Sequence, residues 1–400
     1  NIQTIIEHLK SGKPREEKPF ELEINTVIIR NASASYDVLS APQPDTAKFC
    51  PQHMAVHNLA VNAYIPRISN NRYQVHLDHL SFCERSGFEL KAMQAKADFG
   101  HDGARLYDFS LDLPQSHLAF DPIALRFSGY GDIRRALREE SMIVNTVGTN
   151  TVYLPDLKAF APVLDDFDCH ASLVLGAEGS LDEVNLRTLA VRDSRGKAFS
   201  LVASGKVQSP ASREELSYSL EHANISFDGR DIVRIFHKVL PKKTSDLLSK
   251  VPDYNVELTA AGTVAHGNAT VRAFGTPGTV TAKAAYRGHG RDYVFTGNVS
   301  ADNLNLGMMT GNSALGLLSA TVDGTAHTGR QPSGDVTATI SDLGYNGYDY
   351  SGIKAELKVN DSRRAEADIS VDDPAAHLLA YLVYDNSEGL HNISGTATAS

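Results

Sequence analysis

The 400-residue sequence contains no tryptophan and only three cysteines, Cys50, Cys83 and Cys169. Their odd number and wide separation, without a Cys-x-x-Cys pair, indicate neither a disulfide framework nor a zinc site. No apolar run approaches the roughly 20 residues that a membrane-spanning helix needs. Acidic residues outnumber basic ones by 48 to 38, and the net charge of -10 argues against nucleic acid, which binds basic surfaces. With 42% hydrophobic and 22% charged residues, the composition is that of a folded protein.

What the sequence has in abundance is two-residue alternation of apolar and polar side chains. Residues 353–360 read IKAELKVN and residues 365–372 read AEADISVD. Successive side chains of a β-strand point to opposite faces, so each stretch predicts a strand with one apolar and one polar face. Such stretches recur about every ten residues, separated by Gly, Asn, Asp and Pro, which is the spacing of consecutive antiparallel neighbours. The pattern therefore predicts a mostly β fold, an elongated, solenoid-like antiparallel sheet.

Helical periodicity interrupts the strands at a few places. Apolar residues at spacings of three and four predict an amphipathic helix at 229–251, broken into two pieces by Pro241. We expect it to cap the end of a sheet, although it could instead bind a lipid or a partner. Shorter helical segments are predicted at 2–10, 132–140, 156–164 and 303–318.

Several blocks of residues resemble a known family. Residues 299–307 (VSADNLNLG) and 315–320 (LGLLSA) resemble a block of the TamB-like translocation and assembly proteins, in the AsmA-like superfamily. Residues 345–353 (YNGYDYSGI) and the turn 372–374 (DDP) resemble the next block of that family. Residues 80–90 (LSFCERSGFEL) resemble an upstream segment in the version common in Bacteroidota. The resemblance covers about residues 20–400, and the alanines that follow Pro374 depart from the family, which often has Asn there.

This resemblance implies a long periplasmic protein, held in the inner membrane by an N-terminal helix outside this sequence. Its sheet would fold lengthwise into a U-shaped hydrophobic trough, or β-taco. Such proteins carry phospholipid towards the outer membrane, or support outer-membrane protein assembly with a TamA-like barrel. Phospholipid, that barrel and the inner membrane are the implied partners, and neither an enzymatic activity nor a cofactor is expected. The sequence begins at Asn1 and ends in residues typical of the middle of a strand, as expected for a piece of a longer protein.

We predict four segments along the chain. A short helix and linker occupy 1–19, and a first β-trough segment with short helical breaks occupies 20–228. An amphipathic helical insertion follows at 229–252. A second β-trough segment occupies 253–400.

The candidate functional surface is the apolar face of the alternating strands. Such a face removes acyl chains from water, at about 0.8 kcal/mol per buried methylene, while an open mouth leaves the headgroup hydrated. The predicted lining residues are Leu216, Tyr218, Leu220, Val256, Leu258, Val280, Ala282, Ala284, Tyr286, Val336, Ala338, Ile340, Ile353, Leu357, Val359, Ile369 and Val371.

The same residues would equally form the closed core of a structural or adhesive β-solenoid with a protein-binding surface. Alternation alone favours that closed core, whereas the family resemblance favours the open trough. An outer-membrane barrel is disfavoured, because many faces carry only Ala, Thr and Gly and because helical breaks have no place in a barrel wall. A polysaccharide-cleaving β-helix enzyme is disfavoured, because no cluster of acidic or basic residues recurs along one face.

Polar clusters in the sequence do not predict a metal or catalytic site. His53 and His57 lie four residues apart, and His76, Asp78 and His79 form a polar cluster. Alternation would place His76, Asp78 and Leu80 on one face and His79 on the other. Zinc needs a third or fourth ligand at defined spacing, which is missing here. The carboxylate pairs at 139–140, 165–166 and 372–373 have no evident partner for acid–base work, and the last is typical of a turn.

Overall fold

In the computed structural model the chain folds into antiparallel β-structure with a few short helices. The structure describes residues 21–42, 48–69, 72–126, 142–180, 182–194, 198–210, 212, 214–329, 332–361, 364–386 and 392–400. Two compact units divide the chain, Asn1–Val144 and Asn145–Ser400, and we describe each separately. The prediction of a mostly β, antiparallel sheet with few short helices is confirmed. The predicted helices at 2–10 and 132–140, and the segment 1–19, lie outside the described residues.

In the described residues up to Arg126, the first unit has six strands, each antiparallel to the next along the chain. They are β1 (Glu21–Asp37), β2 (His53–Ser69), β3 (Arg72–Glu84), β4 (Glu89–Gly100), β5 (Gly103–Asp112) and β6 (His117–Arg126). Four of the five pairings contain register shifts. A β-bulge adds a residue to one strand and changes which side chains share a face. Strand β6 was not predicted from the sequence.

One of these shifts overturns a prediction about the histidines of β3. The pairing of β3 with β4 shifts between Leu77 and Leu80, which face Ala95 and Met93 on the neighbouring strand. Because Ala95 and Met93 are two residues apart, Leu77 and Leu80 share a face. Leu80 therefore does not lie on the same face as His76, as uninterrupted alternation would require.

The second unit holds the remaining strands. Strand β7 (Met142–Thr146) spans the boundary, and β8 (Thr151–Tyr153) pairs with β9. The strands that follow are β9 (His170–Gly179), β10 (Glu183–Asp193), β11 (Phe199–Gln208), β12 (Ser217–Phe227), β13 (Tyr254–Thr263), β14 (His266–Gly275), β15 (Gly278–His289), β16 (Asp292–Asn305), β17 (Leu315–His327), β18 (Ser333–Tyr345), β19 (Tyr348–Tyr350), β20 (Ile353–Asp361), β21 (Arg364–Asp373), β22 (Ala376–Asp385) and β23 (Asn392–Ala399). Each pairs with the next in sequence, except that β18 pairs with both β19 and β20.

The described helices of this unit all lie at the same edge of its sheet. Two 3-10 helices, Leu154–Leu157 and Pro162–Asp166, precede β9 and correspond to the helix predicted at 156–164. Helices α1 (Gly229–Phe236) and α2 (Lys242–Leu248) follow β12, and α3 (Leu306–Thr310) follows β16. Antiparallel strands alternate in direction. Strand β9 therefore begins at this edge, whereas β12 and β16 end there. We call this row of strand ends the helix edge. The opposite row of strand ends, where the turns of β13–β14 and β15–β16 lie, is the hairpin edge.

The helical insertion forms as the sequence predicts, in two pieces separated by Pro241. The carboxylate of Asp228 caps α1, because its Oδ1 accepts hydrogen bonds from the backbone N–H groups of Arg230 and Asp231. Strands β12 and β13, on either side of the insertion, pair directly with each other. The helices therefore fold out of the sheet without interrupting it.

Helix α1 closes the helix edge over β9–β11. Ile235 is 2% exposed and lies in a buried cluster with Cys169, Ala171 and Ala198. Phe236 also packs against this cluster. This is the capping arrangement expected for the helix, and it is carried by α1, since α2 has no buried residue.

The helical break predicted at 303–318 is mostly wrong. Strand β16 continues to Asn305 and β17 begins at Leu315, which leaves only α3 in helical conformation. The register shifts between Ala301 and Leu304, and Asn303 has a φ of 50°. An Asn in the left-handed region at a bulge lets the strand continue where the apolar spacing imitates a helix.

Candidate functional site

The candidate site is the apolar face that the strand register assembles across β13–β23. Starting from Leu258, each residue faces the next across a ladder, with no polar side chain in between. The row is Leu258, Val271, Ala282, Val299, Val322, Ala338, Ala355, Ile369, Ala380 and Ala397. Directly opposed residues of antiparallel strands share a face, so this row is continuous.

The predicted lining residues come together on this face. A second row runs through Val256, Val280, Ile340, Ile353 and Val371, and a third through Ala284, Val336 and Leu357. Tyr218 and Leu220 face Gly262 and Ala260 of β13, and Leu216 directly precedes β12. Tyr286, Ala338, Val359 and Ile369 occupy the same face.

This face is open over β13–β23. Val299 is 40% exposed, Leu357 is 40% exposed and Val336 is 37% exposed. Among the described residues of these strands, Leu304 is the one hydrophobic side chain that is buried. A closed core would bury such residues almost completely. The apolar side chains here cover one another along the rows, and their outer surface remains accessible.

A lane of small residues crosses the middle of the open face. Neighbouring strands β13–β17 contribute Ala260, Ala269, Ala284, Gly297 and Gly324, each facing the next. Ala284 is exposed. Of the five, only Ala284 was in the predicted lining set, because the others fall in stretches where Ala and Gly are too weakly apolar to mark a face. Only the register brings them into line.

At the hairpin edge, the apolar face is bordered by tyrosines. The hydroxyls of Tyr218 on β12 and Tyr286 on β15 are 3.1 Å apart, across two intervening strands. Gly262 and Gly267 on those strands leave the space in which the two side chains lie, since a Cβ at Gly267 would be 2.6 Å from the Tyr286 ring. The Tyr286 hydroxyl donates to the carbonyl of Thr263 (2.5 Å), so the Tyr218 hydroxyl is the donor to Tyr286.

The contacts of these tyrosines also change the pKa of Tyr286 and hold the β13–β14 turn in place. The hydrogen bond with Tyr218, followed by burial, raises the pKa of Tyr286 to about 12, so the Tyr286 phenol stays neutral at physiological pH. The hydroxyl of Tyr293 donates to the carbonyl of Val264 (3.1 Å), which ties the β13–β14 turn to β16 as well. These residues present apolar rings to the face and polar tips to the turn.

The opposite face is polar in the middle of strands β13–β17. Its row through β13–β17 is Glu257, Arg272, Thr281, Ser300 and Thr321. Its charges pair locally, as in the contact of Arg272 Nη1 with Glu257 Oε2 at 3.4 Å. Along these rows of β13–β17 the sheet therefore has one water-facing side and one apolar side.

Two buried carboxylates hold turns and have no catalytic arrangement around them. Asp373 is 1% exposed and accepts hydrogen bonds from the N–H of Ala375 (2.8 Å), from the N–H and hydroxyl of Ser351 and from the hydroxyl of Tyr348. The bond from Ala375 is the largest cause that lowers the pKa of Asp373 to about 2. All of these donors lie at the helix edge, where Tyr348 begins β19, Ser351 follows that strand and Ala375 is in the turn between β21 and β22.

Glu84 plays a similar part in the first unit. Its Oε2 accepts from the N–H of Ser86 at 2.7 Å, and its Oε1 accepts from the N–H of Ala55 at 3.1 Å. Burial raises the pKa of Glu84, but the hydrogen bonds from the Ser86 hydroxyl and from these two N–H groups outweigh it, and the net pKa is lowered. The carboxylate therefore joins the β3–β4 turn to β2.

The histidines and cysteines are not gathered into a metal site. In the part of the chain that the structure describes, no group of three or more His, Cys, Asp or Glu side chains is placed to hold a metal ion. His76 packs edge-on against Tyr64, and His79 Nε2 lies 3.1 Å from Ser81 Oγ. All three cysteines are free, and burial raises the pKa of Cys169 to about 11. Among the described residues, no helix has the length and apolar character needed to cross a membrane.

No family model matches this chain, and no curated protein matches it either. The resemblance of the sequence blocks to the TamB-like proteins thus stays a prediction. The functional argument depends on the geometry of the open apolar face.

Proposed function

We propose that the apolar face of the second unit binds the acyl chains of phospholipids and lets them move along the sheet. In this proposal the chain is a periplasmic segment of a TamB-like bridge, anchored in the inner membrane, that carries phospholipid towards the outer membrane. A TamA-like barrel would be its partner there. The observation that carries the proposal is the unbroken, half-exposed row of ten apolar residues from Leu258 to Ala397.

The energetic reason is the removal of apolar surface from water. Burial is worth about 25 cal/mol per Å² of apolar surface, so both the lipid chains and the half-exposed side chains of the face gain when they meet. Monomeric soluble proteins rarely leave a contiguous apolar surface of this extent uncovered without a ligand or partner.

Because the rows present similar side chains from strand to strand, they favour movement of a bound lipid along the sheet over binding at one fixed position. Neighbouring strands present similar Val, Ala, Ile and Leu side chains, and the lane at Ala269, Ala284 and Gly297 has no bulky side chain to obstruct a chain. A lipid displaced by one strand, about 4.8 Å, meets nearly the same surface. The tyrosine hydroxyls at the hairpin edge suit the boundary between an acyl chain and hydrated groups.

The test is mass spectrometry of lipids extracted from the purified chain, beside a soluble protein of similar size. We expect phospholipid to be enriched on the wild type. Ala284→Trp fills the small-residue lane and should remove most of that lipid. Its matched control is Ala285→Trp, because Ala285 is also exposed but lies on the polar face.

A second pair of variants tests the face through charge. Val280→Asp places a carboxylate on the apolar face and should release lipid, whereas Thr281→Asp places it on the polar face and should not. Leu220→Asp and Ile353→Asp should behave as Val280→Asp does, with strand content retained by circular dichroism. Absence of lipid above the control on a well-folded wild type would contradict the proposal and favour the structural solenoid.

A further inference from the structure

Three aromatic rings form a triangle on the apolar face at the hairpin edge. Tyr286 on β15 and Tyr293 and Phe295 on β16 have ring centroids 6.1 to 6.2 Å apart in every pair. The ring planes are tilted by 34° to 57° relative to one another, so the rings are not stacked. Phe295 is 43% exposed, and both tyrosines are half-buried. We call these three residues the aromatic triangle, and it is accessible to a ligand that lies on the apolar face.

Neighbouring glycines let the two tyrosine side chains lie across the sheet. A Cβ at Gly267 would be 2.6 Å from the Tyr286 ring, and a Cβ at Gly288 would be 2.7 Å from the Tyr293 ring. The Tyr286 hydroxyl reaches the carbonyl of Thr263 on β13, two strands away from its own. Each tyrosine ring therefore rests on a glycine of the next strand and turns one of its faces outward.

The hydroxyl protons of these tyrosines are already used inside the protein. Tyr286 donates to the carbonyl of Thr263 at 2.5 Å, and Tyr293 donates to the carbonyl of Val264 at 3.1 Å. The Tyr218 hydroxyl donates to Tyr286. A tyrosine hydroxyl has a single proton to donate. These side chains can therefore offer a ligand only oxygen lone pairs and ring faces, and both attract positive charge.

The row of residues that crosses the triangle carries no charge. Each member faces the next across a ladder, and the row is Tyr218, Gly262, Gly267, Tyr286, Phe295 and Ala326. An anion would find neither a basic side chain in this row nor a tyrosine proton to accept. An ammonium group would find three ring faces instead.

The distances between the rings also suit an ammonium group. A cation above the centre of the aromatic triangle is about 5 Å from each centroid, within the roughly 6 Å over which a ring attracts a cation. The same unit already contains such a contact, because the Arg272 guanidinium lies 4.6 Å from the centroid of the Phe274 ring. Groups of aromatic rings are also a common recognition element for quaternary ammonium ligands.

We propose that the aromatic triangle binds the ammonium group of a phospholipid headgroup, such as ethanolamine or choline. This inference rests on the proposed lipid binding, since the acyl chains of the same lipid would lie on the rows of the apolar face. The headgroup is then at the hairpin edge, and the chain selects zwitterionic phospholipids over anionic ones.

Capture of lipid from mixed vesicles tests this selection. The vesicles contain equal amounts of phosphatidylethanolamine and phosphatidylglycerol, in about 0.5 M salt, which screens the net charge of -10. Mass spectrometry counts the lipids that the purified chain retains, and we expect phosphatidylethanolamine to be enriched on the wild type. Phe295→Leu keeps an apolar side chain but removes a ring, and should lower this enrichment about two- to fivefold with total lipid unchanged. Phe295→Tyr keeps a ring and should retain the enrichment.

The matched control is Phe274→Leu, which makes the same change on the opposite face of the sheet and should leave the enrichment intact. If Phe295→Leu loses strand content by circular dichroism, Tyr293→Leu takes its place. Retained lipid with the headgroup ratio of the vesicles, or an enrichment that is unchanged when the ring is removed, would overturn this inference and leave the lipid-binding proposal in place. No retained lipid at all would contradict both.

Free choline distinguishes a lipid site from a site for soluble amines. The mixed-vesicle capture is repeated with millimolar choline, which carries the ammonium group without acyl chains. We expect the retained phosphatidylethanolamine to be unchanged, because a lipid is also held through its acyl chains. Displacement of the lipid by choline would overturn the assignment to a phospholipid headgroup.

Discussion

Strands β9–β12 and β13–β23 have the same alternating sequence pattern, yet a helix buries a hydrophobic cluster beside the first group, whereas the second group leaves its apolar face accessible. Ala203 and Ala223, on β11 and β12, are 7% and 3% exposed, while Val299 on β16 is 40% exposed. One difference lies in what packs at the helix edge of the strands. Helix α1 inserts Ile235 into the cluster beside β9–β11, whereas the five-residue α3 buries no side chain. The strand patterns are alike, so the buried cluster at this edge depends on the helix that packs there.

The largest effect is expected where the face is closed. Ile235→Ala should lower the free energy of unfolding by about 2–5 kcal/mol, because it leaves a cavity among Cys169, Ala171 and Ala198. Urea denaturation measures the change. Leu247→Ala, on the exposed α2, is the matched control and should cost less than about 1 kcal/mol. Similar values for the two variants would mean that α1 does not close the face.

A smaller effect is expected where the open face is packed by tyrosines. Gly267→Val would place a side chain against the Tyr286 ring and should destabilise the protein by about 1–3 kcal/mol. Removing the ring with Tyr286→Ala should restore part of this loss in the double variant. A double-mutant cycle measures the coupling, and simple additivity would contradict the close packing.

Acid should weaken the open group of strands through Asp373. Its pKa is about 2 in the folded protein and about 3.9 in unfolded chains. A lowered pKa stabilises the fold fully above about pH 4, and this contribution is lost as the pH falls towards 2. Asp373→Asn should reduce the loss of unfolding free energy between about pH 4 and pH 2. Urea titrations made at several pH values measure this loss. Asp372→Asn removes the same charge from an exposed neighbour, and the loss of unfolding free energy at low pH should remain as in the wild type.

The smallest effect is expected on the open rows themselves. Val299→Ala should cost less than about 1 kcal/mol, because a side chain that is 40% exposed loses little burial when shortened. Thermal unfolding of the wild type and the variant compares them. A loss as large as that of Ile235→Ala would mean that the face is covered in solution.

Sequence reasoning identified the strands and the apolar face where alternation was uninterrupted. Residues 353–359 and 365–371 lie on the faces that alternation predicts, because β20 and β21 pair without a shift from Ile353 opposite Val371 to Val359 opposite Ala365. The same reasoning failed at His76 to Leu80, where a bulge resets the alternation. It failed again near Asn303, where a left-handed residue prolongs a strand.

Other features depended on contacts that no local pattern contains. The bridge between Tyr218 and Tyr286 joins residues 68 positions apart in the sequence. The lane at Ala269, Ala284 and Gly297 exists only because two successive strand pairings, β14–β15 and β15–β16, are in register. Turn lengths and bulges determine that register, and the composition of the strands does not.

The placement of the helices at one edge limits how such a chain can lengthen during evolution. Four strands, β9–β12, separate the 3-10 helices from α1, and four more, β13–β16, separate α2 from α3. Inserting a single strand would reverse the direction of everything after it and move the next helix to the hairpin edge. Inserting a whole hairpin would preserve both edges. Duplication in units of two strands is therefore the route by which this architecture can vary in length and keep its apolar face continuous.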